Sequence, residues 1–428
     1  MRYRLWATGL LVMGAMMGCG SESIAPGTDA SSGADGGTPS DGGGGSDSGT
    51  TDLDAGPPPD SQVPRFDSGP PIDAGMPEDV MGCGSTTLLE VPDDPGARGP
   101  WPVGARTVTV GRLTVEVWYP AAPGSDSGVE PVVYDIRNAL PASERASIPD
   151  SDNPWQPCDC RRDLPIDEAH GPYPVIVFVH GTAGFRTQSL SFMTHWASRG
   201  FVVVAADHPG LWMQDLLGRF CGGGSGGSQD LRADVDAMLA AVTAASGDLS
   251  FLSGRVDMTR VGLSGHSAGG AVAGMTSAPG VQVVVPMAGS TASMATSSLR
   301  STLVMGGEAD TVVRWSQVQM AYSRSATPRR LVGIANAGHL AFSNLCDTVN
   351  AEGQDLVEVA TEHDVCGVMF ASFLFDCNDD YVDPPVARAV ADYASTAVFE
   401  EVLTCRDRSE AWAQLRTRHP DVATFETE

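Results

Sequence analysis

The chain is poor in positive charge. Its 26 basic residues stand against 53 acidic ones, for a formal net charge of −27. No basic stripe is visible, which excludes a nucleic-acid surface of the ordinary electrostatic kind. Much of the acid falls in a low-complexity N-terminal stretch and in the tail, so the charge bears on solubility more than on partners. Long apolar runs are also missing. LWATGLLVMGAMMG, at 5–18, is too short for a comfortable membrane span. Residues 20–80 have so little apolar surface, being almost wholly Gly, Ser, Asp, Pro, Thr and Ala, that they cannot offset chain entropy and are expected to stay disordered. CDC at 158–160 lacks the two-residue spacer of common zinc and redox sites, which argues against metal binding by these thiols. DCNDDYVD at 376–383 lacks the spaced ligands and central Gly of an EF-hand loop, and it precedes a helical pattern, where acids are favoured anyway.

What is present starts with an export signal. Arg2 and Arg4 precede the apolar run, which ends in MMGCG. This resembles the lipobox of bacterial lipoproteins and implies a leader over 1–19 with Cys19 as lipid anchor, although Met16 stands where Leu is usual. Localisation is then outside the cytoplasm, with the membrane touched only through the anchor. Residues 20–90 form a linker that holds the domain roughly 40–45 Å from its attachment. The other eight cysteines (83, 158, 160, 221, 346, 366, 377 and 405) are an even number in an exported chain, as expected for up to four disulfides of undeduced pairing.

From about 95 to 405, strand and helix patterns alternate. RTVTV and LTVEVWY flank Gly111-Arg112 as an antiparallel hairpin. PVIVFVH (174–180) and FVVVAAD (201–207) are the continuous β-branched runs of strands covered on both faces. VQVVVPM, STLVMGG and RLVGIAN supply three more. Helices are expected over 229–246, after Ser267, and from Pro384 onward, where Pro is tolerated in a first turn. The fold class is α/β with a mostly parallel sheet and helices on both faces. Residues 406–428 read as a C-terminal tail. No segment reads as a large helical lid.

Gly-x-Ser-x-Gly occurs twice, around Ser225 and Ser267. With 50 Gly in 428 residues the pattern alone decides little. Ser225 has glycines on every side and neither a strand before it nor a helix directly after. Ser267 follows the strand TRVGLSG and precedes a helix rich in Ala and Gly, the strand–turn–helix context that a nucleophilic serine of this type needs. A serine hydroxyl is a weak nucleophile until a base takes its proton. In hydrolases of this layout the partners follow in the order Ser, acid, His. Asp310, after the STLVMGG strand, and His339, after RLVGIAN, satisfy that order at the carboxyl ends of strands. Glu308, Asp347 and Asp207 are the competing acids. The backbone N–H groups of Ala268 and Thr182, the latter in HGTAGF, are the expected oxyanion donors. Phe185, Trp212, Met213 and Phe342 either line an acyl site or pack the core. His266 reads as packing, and His180 and His208 as loop fasteners.

The segments YPVIVFVHGTAGF, TRVGLSGHSAGG, LVMGGEADTVV and NAGHLAF together resemble the α/β-hydrolase superfamily. The branch they resemble contains predicted dienelactone-hydrolase-type esterases related to platelet-activating-factor acetylhydrolase and polyester hydrolases. The resemblance implies an eight-stranded sheet, no cofactor, and cleavage of small or accessible carboxylic esters through an acyl-enzyme by Ser267, Asp310 and His339. Ser267 in place of the usual Cys argues against a dienelactone substrate. VVVPMAGSTAS offers no carboxylate where the acetylhydrolase has its acid, which argues against phospholipid. A lipase, phospholipase-like enzyme or polyester hydrolase with the same triad, or a surface-binding scaffold that has lost catalysis, are the alternatives. Nothing in the pattern bears on oligomeric state.

Overall fold

The structure, a computed structural model, describes residues 78–84, 86–221, 227–371 and 375–428. The expected leader with Cys19, most of the linker and Ser225 lie outside the described residues.

Among the described residues fourteen strands are formed, numbered in chain order. β1 (Asp79–Met81) and β2 (Thr87–Leu89) make a small ladder of their own, as do β5 (Val133–Tyr134) and β6 (Gln156–Pro157). The main sheet contains β3 (Val103–Val110), β4 (Leu113–Pro120), β7 (Arg161–Arg162), β8 (Tyr173–Val179), β9 (Val202–Asp207) and β10 (Val256–His266). It continues through β11 (Val281–Met287), β12 (Ser301–Gly307), β13 (Arg329–Ile334) and β14 (Val422–Thr427). Its spatial order is β14-β13-β12-β11-β10-β8-β9-β4-β3-β7. The parallel pairings are β10–β11, β10–β8, β11–β12, β12–β13, β3–β7 and β8–β9; those of β3–β4, β4–β9 and β13–β14 are antiparallel. The sheet is therefore mostly parallel, but among the described residues it has ten strands where the resemblance implies eight. The two extra strands sit at its edges, namely two-residue β7 in the irregular insert and β14 in the supposed tail.

The folded unit is longer at both ends than the sequence pattern predicts. Leu88, Leu89 and Val91 are buried before residue 95. After residue 405 the helix Ser409–Arg418 and β14 complete the sheet. β14 escapes a pattern search because it is short, half-exposed and mixed in polarity.

Continuous apolar strands arise because successive side chains feed two different cores. From β8, Ile176 and Phe178 enter one core, whereas Val175, Val177 and Val179 enter the other. β9 divides likewise, with Val203 and Ala205 on one side and Val202 and Val204 on the other. The first core is closed by helices Leu190–Ser198, through Phe192 and Trp196, and Pro384–Leu403, through Val390 and Phe399. The second is closed by helix Leu231–Ala244, through Val235, Met238 and Val242. Each such burial stabilises by about 1.5–3 kcal/mol.

Two devices fasten the periphery. Buried Glu400 pairs with Arg199 at 2.7 Å and accepts from Arg408 Nε at 2.7 Å, while Arg199 also donates to the carbonyl of Pro92. Removing one partner of such a buried group leaves an uncompensated charge. Disulfides join Cys83–Cys405, Cys158–Cys160, Cys221–Cys366 and Cys346–Cys377, the inventory of a protein from an oxidising compartment. Among the described residues no helix is long and apolar enough to cross a membrane. Helices Met213–Phe220 and Leu356–Glu362 gather with the turn Ile136–Ala139 into small apolar clusters. These include Ala139, Phe185, Leu340, Leu345, Val359 and Val365.

Candidate active site

β10 ends at His266, and the helix Ala268–Met275 begins two residues later. Ser267 alone makes the turn, with φ 57° and ψ −117°. A non-glycine residue held at positive φ costs on the order of 1–3 kcal/mol and persists where its surroundings over-determine it. Here the Ser267 N–H donates to Met287 O at 2.9 Å, and its carbonyl accepts from Ala271 N–H at 3.0 Å. The flanking glycines allow the close approach. A Cβ on Gly269 would stand 2.0 Å from Val179 O, and one on Gly265 would stand 2.5 Å from Gly269 C.

Asp310 follows β12, and His339 follows β13. Both are buried, and His339 Nδ1 lies 2.8 Å from Asp310 Oδ2. The other carboxylate oxygen accepts from the N–H groups of Val312 (2.7 Å) and Val313 (2.8 Å), which fixes the acid before it meets the imidazole. The competing acids are engaged elsewhere. Glu308 accepts from Thr424 Oγ1 at 2.7 Å, Asp207 pairs with Arg186, and Asp347 pairs with Arg388.

Residues beyond the Ser–Asp–His set hold His339. His266 Nε2–H donates to His339 O at 2.8 Å, with the two rings 4.7 Å apart. That bond leaves His266 Nδ1 as acceptor for Gln188 Nε2–H, at 3.0 Å, while Gln188 Oε1 accepts from Gly181 N–H at 3.2 Å. Burial, reinforced by His339, pushes the His266 imidazole well below its usual range, so it works as a neutral strut. Asp376 accepts from the N–H groups of His339 and of Leu340, the latter at 2.9 Å. Neither Gln188 nor Asp376 carries a motif. The Gln188 partners are 7 and 78 residues away, and the His339 amide is 37 residues from Asp376.

The HGTAGF loop lies against Ser267: a Cβ on Gly181 would be 3.2 Å from Ser267 Cβ. Among the described residues, the N–H groups of Thr182 and Ala268 meet no protein acceptor. Thr182, Ser267 and Ala268 are partly exposed, whereas His339 and Asp310 are buried. Ala183 N–H donates to Leu211 O, and Met213 N–H donates to Gly184 O, each at 3.0 Å. His180 and His208 do fasten loops: His180 Nδ1–H bonds Gly181 O at 2.7 Å, and His208 N–H donates to His180 Nε2 at 3.1 Å. Burial lowers the His180 pKa to about 3, consistent with that neutral role.

The four apolar candidates separate. Phe342 is 0% exposed in the main core, turned inward by the 3₁₀ turn His339–Phe342, and has no face for a substrate. Phe185 is buried beside Leu340 and Leu345. Trp212 and Met213 keep partial exposure at the start of helix Met213–Phe220. Hollows of about 340 and 430 Å³ open elsewhere, one beside Arg330 and Trp412 and one beside Cys83–Cys405. Among the described residues no three His, Cys, Asp or Glu side chains gather as a metal site.

A serine at a strand–helix turn, with a His–Asp pair from two later strand ends of a mostly parallel sheet, is the architecture of an α/β-hydrolase. Comparison with protein families sharpens this. The family described as "PETase: PET hydrolase-like" matches residues 164–353, a little under half of the chain. That span is similar to polyester hydrolases of the same superfamily, and it contains Thr182, Ser267, Ala268, Asp310 and His339 but not Asp376. No curated protein matches the chain.

Proposed function

We propose that the protein is a serine ester hydrolase that works through an acyl-enzyme on small or otherwise accessible esters, polyester chains among them. The observation that carries this reading is Ser267 at positive φ, on the same rim of strand ends as the His339–Asp310 pair. Ser267 Oγ attacks the ester carbonyl carbon while its proton passes to His339 Nε2. Asp310 keeps the Nδ1 proton in place and stabilises the imidazolium. The developing oxyanion is met by the N–H groups of Thr182 and Ala268, each typically worth about 10²–10³ in rate. His339 then returns the proton to the departing alkoxide, and water, deprotonated by the same imidazole, releases the acid. The likeness of residues 164–353 to PET hydrolases supports polymeric esters, and the partly exposed Trp212 and Met213 are suited to line a short acyl or aryl site.

Fluorophosphonate labelling of the wild type and of Ser267→Ala tests the chemistry: only the wild type should be labelled, and an unlabelled wild type would refute it. Across esters of increasing acyl length, turnover should peak at short chains; a maximum at long chains would make the protein a lipase. The same reading places it outside the cytoplasm, tethered through Cys19, as MMGCG and the four disulfides suggest. The mass of the mature N-terminus, with or without a diacylglyceryl group, decides that point.

A further inference from the structure

Three separate elements grip His339. Asp310 holds its ring and His266 holds its carbonyl. Its amide is held from outside the span that resembles polyester hydrolases, by Asp376. The two oxygens of Asp376 divide the work, Oδ2 accepting from His339 N–H and Oδ1 from Leu340 N–H. These are the first amides of the turn His339–Phe342, whose preceding residue, Gly338, supplies no side-chain cap. A Cβ at Gly338 would stand 2.2 Å from Asp376 Oδ2, so the carboxylate occupies the space that a side chain would take. The next residue, Cys377, is bonded to Cys346, which follows His339 by a few positions. The segment from His339 to Cys346 is thus held at its start by Asp376 and closed at its far end by the bridge next to Asp376. Burial raises the Asp376 carboxyl above its usual range, opposed by those two amides, and the charge of Asp310 raises it further. A carboxylate placed there costs stability, and simple loop packing would be served better by a neutral side chain.

We propose that Asp376, carried on the Cys346–Cys377 bridge, is a positioning residue that sets the backbone of His339 and thereby aims its imidazole at Ser267. This rests on the ester-hydrolase reading. Its effect belongs in turnover, because a base displaced by about 1 Å can cost on the order of 10² in rate while substrate binding is untouched.

Asp376→Asn is the decisive variant. It preserves shape but turns an NH₂ group toward one of the two amides. We expect kcat and the fluorophosphonate labelling rate to fall at least tenfold with KM within twofold, and the His339 or Leu340 amide to exchange with solvent at least tenfold faster. Asp379→Asn, an exposed neighbour, should match the wild type. Cys346→Ser with Cys377→Ser should give the same kcat-only loss in milder form. Wild-type kcat in Asp376→Asn, whether or not amide exchange changes, would overturn the positioning role. An equal loss in kcat and stability with no change at either amide would overturn it as well. If the wild type took no label, the ester-hydrolase reading would fall, and unchanged exchange of both amides would then dispose of the clamp independently.

Discussion

Replacing Asp310 by Asn probes the proposed mechanism at the point where the geometry is most explicit. Oδ1 accepts two backbone N–H groups, at 2.7 and 2.8 Å, and Oδ2 accepts from His339 Nδ1 at 2.8 Å. The single carbonyl oxygen of Asn must choose. Serving His339 would strand two buried amides, each bond being worth about 1 kcal/mol before the desolvation of the orphaned group is added. The oxygen should therefore stay with Val312 and Val313 and present its NH₂ to Nδ1. Nδ1 then becomes an acceptor, the ring proton moves to Nε2, and the nitrogen proposed to serve Ser267 can no longer take a proton. A wrong-tautomer histidine in such a triad lowers kcat by about 10⁴, which is about 5.4 kcal/mol of barrier. Volume and charge-free packing are unchanged, so the melting temperature should move little. The assay is kcat and KM on a short p-nitrophenyl ester, with calorimetry alongside. Activity within tenfold of wild type, in a background where Ser267→Ala is dead, would refute the assignment of Asp310.

Gly269→Ala should be severely destabilising, because the new Cβ would meet backbone atoms only, 2.0 Å from Val179 O and 2.7 Å from His180 O. A loss of roughly 3 kcal/mol is expected for forced overpacking, and a melting temperature within 2 °C of wild type would contradict the close helix–strand approach. Asp392, on the long helix Pro384–Leu403, has its pKa raised to about 7 by burial, opposed by Arg388, and its Oδ1 has no partner. The folded state therefore binds this proton more tightly than the unfolded chain, so wild-type stability should decline between about pH 4 and pH 7 and level off above. Asp392→Asn should remove that decline and be more stable than wild type at pH 8 by roughly 1–2 kcal/mol, partial exposure trimming the effect. Equal denaturant midpoints at pH 8 would show that the carboxylate is solvated.

Ser267, Asp310 and His339 stand out in the sequence as candidates because each follows a strand whose apolar run is unmistakable, and their chain order is constrained by the expected fold. The structure brings Asp310 and His339 into contact and bends the backbone at Ser267. The hairpin, the buried strands and the long C-terminal helix are legible for the same reason, since hydrophobic period alone defines them. β14 and the β1–β2 ladder are not, because they are short and their burial depends on tertiary partners. Asp376 is hidden differently. DCNDDYVD draws the eye as a cluster of oxygen ligands, and only folding assigns one of its carboxylates to two amides far back in the chain. Phe342 shows the converse: proximity in sequence to His339 suggests a pocket wall, and a single 3₁₀ turn sends the ring into the core.

The two backbone bonds from Ala183 N–H to Leu211 O and from Met213 N–H to Gly184 O stitch the segment carrying Thr182 to the one carrying Trp212 and Met213. Widening the proposed acyl site by mutating those side chains will therefore tug on an amide expected to stabilise the oxyanion. Directed evolution of this scaffold should find breadth and speed traded against each other, with variants that accept bulkier acids paying in turnover until a compensating change re-anchors the loop.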